Sequence, residues 1–310
     1  MIEQHKDNGV CYLQFSDFLQ FPEIIHGVFT RLGGYSTWGL NASFRNDTID
    51  NILRNRLLVL ETLGIEDYPC ATVWQVHSAD VATLESGSWD DWRTDWSHHS
   101  YFIGEQELIW TAKPRRKADA IITKERGVAL ALSFADCTPV LFYDPVVEAI
   151  GIAHAGWRGT ARGIVLATVE AMQQQFGCQL ENIYAGIAPA IGPCCYEVSE
   201  QVQGLFLGQV QFDDKPTLER YQPLVCESAV FSIEQVEGRE SLRLDLWETN
   251  RNQLLMAGLS REHIELPQVC TSCNTDHFFS YRAEQGQTGR FPVVLALRRG
   301  SDMKTRRKQV

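Results

Sequence analysis

No stretch of the 310 residues approaches the roughly 20 apolar residues that a membrane span needs, and the opening MIEQHKDNGV has no apolar core of a secretory signal. A cytoplasmic protein without a membrane partner is expected. Basic charge is also scarce. Lys and Arg number 28 against 39 Asp and Glu, a net charge of −11, so a surface that neutralises nucleic-acid phosphates is not expected. The basic cluster KTRRKQV at the C-terminus reads as a solvated tail. No Gly-x-Gly-x-x-Gly follows a strand pattern, and the near miss for a phosphate loop, Gly151 to Gly156, carries Trp157 where a lysine would stand. Cys-x-x-Cys occurs once, as CTSC at 270–273, with no second pair, which argues against structural zinc there. The adjacent Cys194 and Cys195 are poorly placed to share one ion. Nine cysteines without a small-scaffold framework read as reduced thiols, most of them small buried hydrophobes.

What is present is ordinary for a globular protein: 44% hydrophobic and 22% charged residues, enough for one large domain or two intimate ones. No repeat and no Pro/Gly/Ser linker divides the chain. Apolar spacing predicts a helix from about Asp50, as N-cap, to Leu63, closed by Gly64. Residues 70–77 and 127–144 read as strands, the second a pair broken near Pro139. A long helix is expected from about Thr160 to Phe176, stopped by Gly177. NIYAGIAP, LRLDLW with a helix after it, and FPVVLALRR complete a mixed α/β pattern. The Trp-rich SWDDWRTDWSHHSYFIGEQELIW has no clean period. It is expected to be an ordered excursion from the sheets at about 87–113.

One stretch asks a chemical question. In AIGIAHAGWRGTARG, residues 149–163, His154 ends an apolar strand and precedes a glycine-punctuated turn. It is either a buried core histidine or a ligand. Two more polar residues close strands, His77 in VWQVHSAD and Cys137 in SFADCTPV. The same-face residues before Cys137, namely Ala131, Ser133 and Ala135, are small enough to leave room beside the thiol. Two histidines and a cysteine suit zinc with an open fourth position, and their wide separation resembles the dispersed ligands of catalytic sites. A nucleophile–base pair of Cys137 with one histidine is the alternative, but it needs no second histidine. His5, His26, His98, His99, His263 and His277 have no comparable setting.

The motifs TRLGGYS (30–36), GLN (39–41), WQVHS (74–78), KADAIIT (117–123), ADCTPVLF (135–142), HAGWRGT (154–160), APAIGPCCYEV (188–198) and FFSYRAEQGQTGR (278–290) fall in this order. Together they resemble the laccase-domain family, called multi-copper polyphenol oxidoreductase and also purine nucleoside phosphorylase. The resemblance covers nearly the whole chain. It implies a single α/β domain over 1–310, with layered mixed sheets and helices outside. It also implies a catalytic Zn2+ held by His77, Cys137 and His154. The implied activities are phosphorolysis of adenosine, inosine, guanosine and methylthioadenosine, and adenosine deamination by zinc-activated water. Purine nucleosides and phosphate are then the partners. Arg31, Arg158 and Arg282 lie in the motifs and are either phosphate-binding guanidiniums or braces of loops. Ser36 and Asn41 are either sugar ligands or turn formers beside Gly33, Gly34 and Gly39. Trp157 either stacks on a purine or packs in the core. Asp119 and Asp136 are the candidates for proton transfer, with turn capping as the plain alternative and, for Asp136, orientation of the neighbouring ligand.

Three features depart from the family pattern. The segment before Lys117 is long, Asn46 stands where glycine is frequent, and YRAEQGQTGR replaces a commoner Arg-Arg-Asp. Rival functions are a zinc- or cysteine-dependent amidase acting on cell-wall precursors, a non-enzymatic metal-binding module, and a copper-dependent polyphenol oxidase. The last is disfavoured, because eight histidines, two of them well placed, are few for several copper centres.

Overall fold

The computed structural model describes residues 1–44, 46–85, 100–110 and 116–302. Two six-stranded mixed sheets form its body, with strands numbered in chain order. The first sheet runs β1 (Ile2–His5), β2 (Cys11–Gln14), β3 (Ile24–Phe29), β16 (Phe291–Leu297), β9 (Ala129–Phe134) and β4 (Cys70–Ala71). The second runs β15 (Ile264–Glu265), β12 (Tyr184–Ile187), β10 (Thr138–Asp144), β11 (Ala149–Ala155), β8 (Ala120–Thr123) and β5 (Val81–Leu84). Pairing is antiparallel except at β4–β9, β5–β8 and β12–β15. Two hairpins lie apart, β6 (Ser100–Ile103) with β7 (Gln106–Ile109) and β13 (Phe231–Val236) with β14 (Arg239–Leu244).

The apolar runs that read as strands are buried on both faces, so alternation sorts their side chains between two cores. In β16, Phe291, Val293, Leu295 and Leu297 face the second sheet, while Val294 and Ala296 face the helix α1 (Ile49–Leu63). In β11, Ile150 and Ile152 point between the sheets. Ala149, Ala153 and Ala155 point to a helical layer that includes α3 (Ile164–Phe176), which follows the short α2 (Trp157–Ala161). Each such large apolar side chain, fully buried, contributes about 1.5–3 kcal/mol. The result is four layers, helix–sheet–sheet–helix. Helices α4 (Glu200–Phe206), α5 (Gln222–Ser228) and α6 (Leu246–Ala257) complete the set, α6 sharing the core beside α3. Among the described residues no helix is long and apolar enough to cross a membrane.

Several expectations are corrected. Thr48, not Asp50, caps α1, accepting the Asn51 N–H at 3.3 Å, while Asp50 pairs with Arg54 one turn on. Gly64 closes it in the left-handed region as expected. The helix expected from Thr160 is two helices, broken where Gly163 adopts φ 78°. The strand expected over 70–77 is only Cys70–Ala71. The 127–144 run is a strand pair as expected, broken at 135–137 just before Pro139, which lies inside β10 with its carbonyl accepting the Ala188 N–H at 2.9 Å. Ala131 faces α1 and not the thiol of Cys137, so the small face does not open the site. Asn46 does take the left-handed backbone, φ 60°, that a glycine would supply. Of the Trp-rich excursion, residues 86–99 and 111–115 lie outside the described residues, and the stretch between them is the β6–β7 hairpin with Trp110 buried behind it. The basic KTRRKQV tail also lies outside them.

Candidate metal centre

The chain passes from the first sheet to the second between β4 and β5, and again between β9 and β10. His77 sits on the former passage and Cys137 on the latter. His154 extends from β11 on the side of Ile150 and Ile152, so its ring enters the end of the inter-sheet core against Phe134, 5.4 Å between centroids. The donor atoms of His77, Cys137 and His154 all lie within 4.8 Å of one another. Cys137 Sγ is 3.9 Å from His77 Nε2, and the two imidazoles meet edge-on at 4.9 Å.

Two residues at this junction hold uncommon backbone angles, His77 at φ 60° and Asp136 at φ 83°. Such conformations cost about 1–3 kcal/mol and persist where the surroundings dictate them. Here hydrogen bonds do so. The His77 N–H donates to Asp119 Oδ1 at 3.0 Å, and the Asp136 carboxylate accepts Thr271 Oγ1 at 2.7 Å and the Arg282 N–H at 2.6 Å. Gln75 binds both backbone groups of Ser133, at 3.0 and 3.2 Å, tying one passage to the strand that feeds the other. Gly156 is required for space: a Cβ there would stand 2.7 Å from Cys137 Sγ and 3.3 Å from the His77 ring.

Asp119 is fully buried and organises the group. Besides His77, it accepts from Ser78 N–H and Oγ at 2.6 and 2.9 Å, and from His154 Nδ1 at 2.9 Å. Burial opposes its charge, but the hydrogen bond and charge of His154, with the Ser78 donors, outweigh burial and hold its carboxyl below the usual range. An ionised Asp119 assigns the proton to His154 Nδ1 and leaves Nε2 facing the cluster. Without a metal, the thiol and imidazole form a charged pair. Burial disfavours both charges, yet the His154 charge and bonds from both histidines bring Cys137 down to about 6, while the Cys137 charge and Asp119 push His154 up to about 10. The site is built to hold one positive charge against a thiolate.

The remaining predicted residues are distributed around this group. Arg158 is exposed, its guanidinium 4.7 Å from the Trp157 ring centroid, and it forms no ion pair among the described residues. Trp157 is half-buried and stacks on Phe212. Arg282 spans to the carbonyls of Cys195 and Glu197, and Arg31 binds the Thr275 carbonyl and Glu284. Arg31 and Ser36 line an open depression of about 490 Å³ that none of the three donors lines. Asn41 is fully buried, its carbonyl oxygen accepting the Ser43 and Arg290 N–H groups, which is a turn former's position. Asp119 and Asp136 both accept hydrogen bonds from protein donors, the arrangement of the orienting alternative.

Arg162 was missed by the sequence reading. Almost fully buried, it donates to the His77 carbonyl at 2.7 Å and pairs with Asp214 at 2.5 Å. Its position just before Gly163, at the helix break, is the available signal. The CTSC turn, expected to lack a second pair, meets one in space: the sulfurs of Cys194, Cys195, Cys270 and Cys273 converge. Nor are most thiols buried: of nine, Cys11, Cys70, Cys178 and Cys270 are.

Fold and site together define a layered α/β protein with a candidate two-histidine, one-cysteine metal centre. The chain belongs to the multi-copper polyphenol oxidoreductase laccase family, whose model matches residues 25–298. It is 35% identical over 286 residues to the purine nucleoside phosphorylase YlmD of Geobacillus stearothermophilus, covering 90% of this chain and 92% of that protein. It is 27% identical over 257 residues to adenosine deaminase RL5 of an unknown prokaryotic organism, covering 81% and 84%. The crystal structure of YlmD from Geobacillus stearothermophilus superposes with a TM-score of 0.74 at 31% identity, covering 96% and 99% of the two chains. Named members of the family are nucleoside-processing enzymes.

Proposed function

We propose that the protein is a cytoplasmic, zinc-dependent purine nucleoside phosphorylase acting on adenosine, inosine, guanosine and methylthioadenosine, with adenosine deaminase as a second activity at the same centre. The observation that carries this reading is the convergence of His77, Cys137 and His154 in front of Asp119. Two imidazoles and a thiolate fit zinc, and three protein donors leave a position for water or substrate. The fit extends to charge, because the metal-free cluster already balances its thiolate with a proton on His154. Copper in several centres fits less well. Of the six described histidines, His26 accepts the Phe15 N–H, His263 stacks on Tyr184, and His5 and His277 pair with carboxylates, leaving His77 and His154 for the centre.

When bound, zinc supplies a Lewis acid that acidifies water and polarises a substrate atom. The protein's own groups do the rest. Asp119 holds the proton on His154 Nδ1 and, with Arg162, fixes the His77 backbone. Asp136 positions rather than transfers protons, being engaged by Thr271 and Arg282. Arg158, exposed and uncommitted to a carboxylate, holds phosphate for attack at C1′ of the ribose. Arg31 and Arg282 brace loops.

The test is zinc-loaded protein with adenosine across a phosphate titration, with adenine and inosine separated by chromatography. Adenine release should require phosphate, and inosine formation should not. Losing the Arg158 guanidinium removes a charge-assisted contact of about 1.5–3 kcal/mol, so Arg158→Ala should lower adenine release roughly ten- to hundredfold and inosine formation much less. Equal losses would return Arg158 to a bracing role. No turnover of any nucleoside would overturn the proposal and favour the amidase alternative.

A further inference from the structure

The loop after β12 carries Cys194 and Cys195, and the loop after β15 carries Cys270 and Cys273. A parallel bridge ties the loops, with Ala190 N–H on the Val269 carbonyl at 3.2 Å and Thr271 N–H on the Ala190 carbonyl at 3.0 Å. That bridge brings four sulfurs, far apart in sequence, within 4.8 Å of one another. Cys273 Sγ lies 3.5 Å from Cys194 Sγ and 3.3 Å from Cys195 Sγ. Four thiolates around zinc, at about 2.3 Å each, stand about 3.8 Å apart, and the two pairs at 3.3 and 3.5 Å lie within a few tenths of an ångström of that spacing.

We propose that Cys194, Cys195, Cys270 and Cys273 form a second, structural metal site that takes one zinc ion through four thiolates. A closed four-sulfur set has no position left for substrate, in contrast to the three-donor centre. Thiolates select a soft or borderline ion over calcium or magnesium. Cys270 Sγ already accepts the Gly192 N–H at 3.2 Å, a donor that supports a metal-bound thiolate. Cys194 and Cys273 are exposed, so the ion reaches the site from the surface. Cys273 has two near sulfur partners with neither favoured, which is the arrangement of a shared ion and not of one defined disulfide. Binding displaces the four thiol protons, so affinity rises with pH. The clip also reaches the first centre. Thr271, inside the CTSC turn, and Arg282, which holds the Cys195 carbonyl, are the two donors to Asp136, and Asp136 precedes Cys137.

The full chain, purified under reducing conditions and dialysed, should contain about two zinc ions per molecule by elemental analysis. Cys194→Ser/Cys273→Ser should retain one, and Cys137→Ser should also retain one, each from the other site. Cobalt(II) replacing zinc gives the second readout, since thiolate-to-cobalt absorption should fall by more than half in the double serine variant and much less in Cys137→Ser. If the double variant does not fold, Cys194→Ser alone should show weakened zinc retention against a chelator. Wild-type protein with one zinc that Cys137→Ser abolishes would overturn the site. So would a Cys273 disulfide in place of the second ion in intact-mass analysis. Zinc that survives Cys137→Ser and is lost in the double serine variant upholds this site even if the proposed catalytic centre fails.

Discussion

His26 and His154 are both buried, 1% and 3% exposed, in strands of facing sheets, yet the protein treats them in opposite ways. His26 packs between Phe15 and Phe18, and its Nε2 accepts the Phe15 N–H at 2.8 Å. Burial drives its pKa from 6.5 down to about 3, so it stays neutral. His154 has the same desolvation against it but faces the Cys137 sulfur and the Asp119 carboxylate, and is pushed up to about 10. Burial sets the stake and the partner decides the sign. A histidine enclosed by apolar rings serves the core, while one enclosed by two anionic groups is ready for a cation.

The comparison breaks most completely at Cys137. Cys137→Ser removes the anion that faces His154 and replaces a thiolate ligand by a poor one, so metal at this centre and both nucleoside activities should fall to background. Metal analysis alongside turnover checks this. Retained metal with retained activity would move the chemistry elsewhere. Asp119→Asn is the next largest change. It keeps the shape but removes the charge behind His154, and a loss of about 10–100-fold in zinc affinity or turnover is expected. Chelator competition measures it, and an unchanged affinity would show that Asp119 only braces the His77 turn.

His26 sharpens the other side with the smallest effect. A base whose folded pKa is depressed contributes stability that is fully present above its unfolded value of 6.5 and is lost as pH falls toward about 3. Over that window stability should decline by up to about 1.4 kcal/mol per pH unit for this one proton. His26→Gln keeps an acceptor for the Phe15 N–H and removes the titration. Denaturant melts should show nearly the same stability at pH 7 and a shallower acid slope. An unchanged slope would mean other groups dominate acid unfolding.

The grouping of His77, Cys137 and His154 was legible in the sequence because each is a polar residue closing an apolar run, although His77 lies on the loop beyond β4 and His154 within β11. Their orienting partner was not. Asp119 meets Ser78 across 41 residues and His154 across 35, and nothing local separates it from a turn-capping aspartate. Alternation in β9 gave which residues share a face, but with helix on one side and sheet on the other it could not say which layer Ala131 meets. The split at Gly163 was hidden by helical spacing that continues across it, and Arg162 was hidden with it. The thiol cluster escaped notice because its halves are 78 and 79 residues apart and meet only through the bridge between two loops.

Placing His77 and Cys137 on the passages between sheets has a consequence for how the molecule matures. The second sheet gathers the donors, because Cys137 leads into β10, His154 lies in β11 and His77 leads toward β5. All three therefore meet only after β10–β11, β11–β8 and β8–β5 have paired. Contacts of such long range close late and slowly. A nascent or partly unfolded chain therefore presents the same three side chains without the strand pairing that joins them. On the proposed function, capture of the ion becomes the final act of assembly, and a metal-loaded molecule is one whose folding is complete.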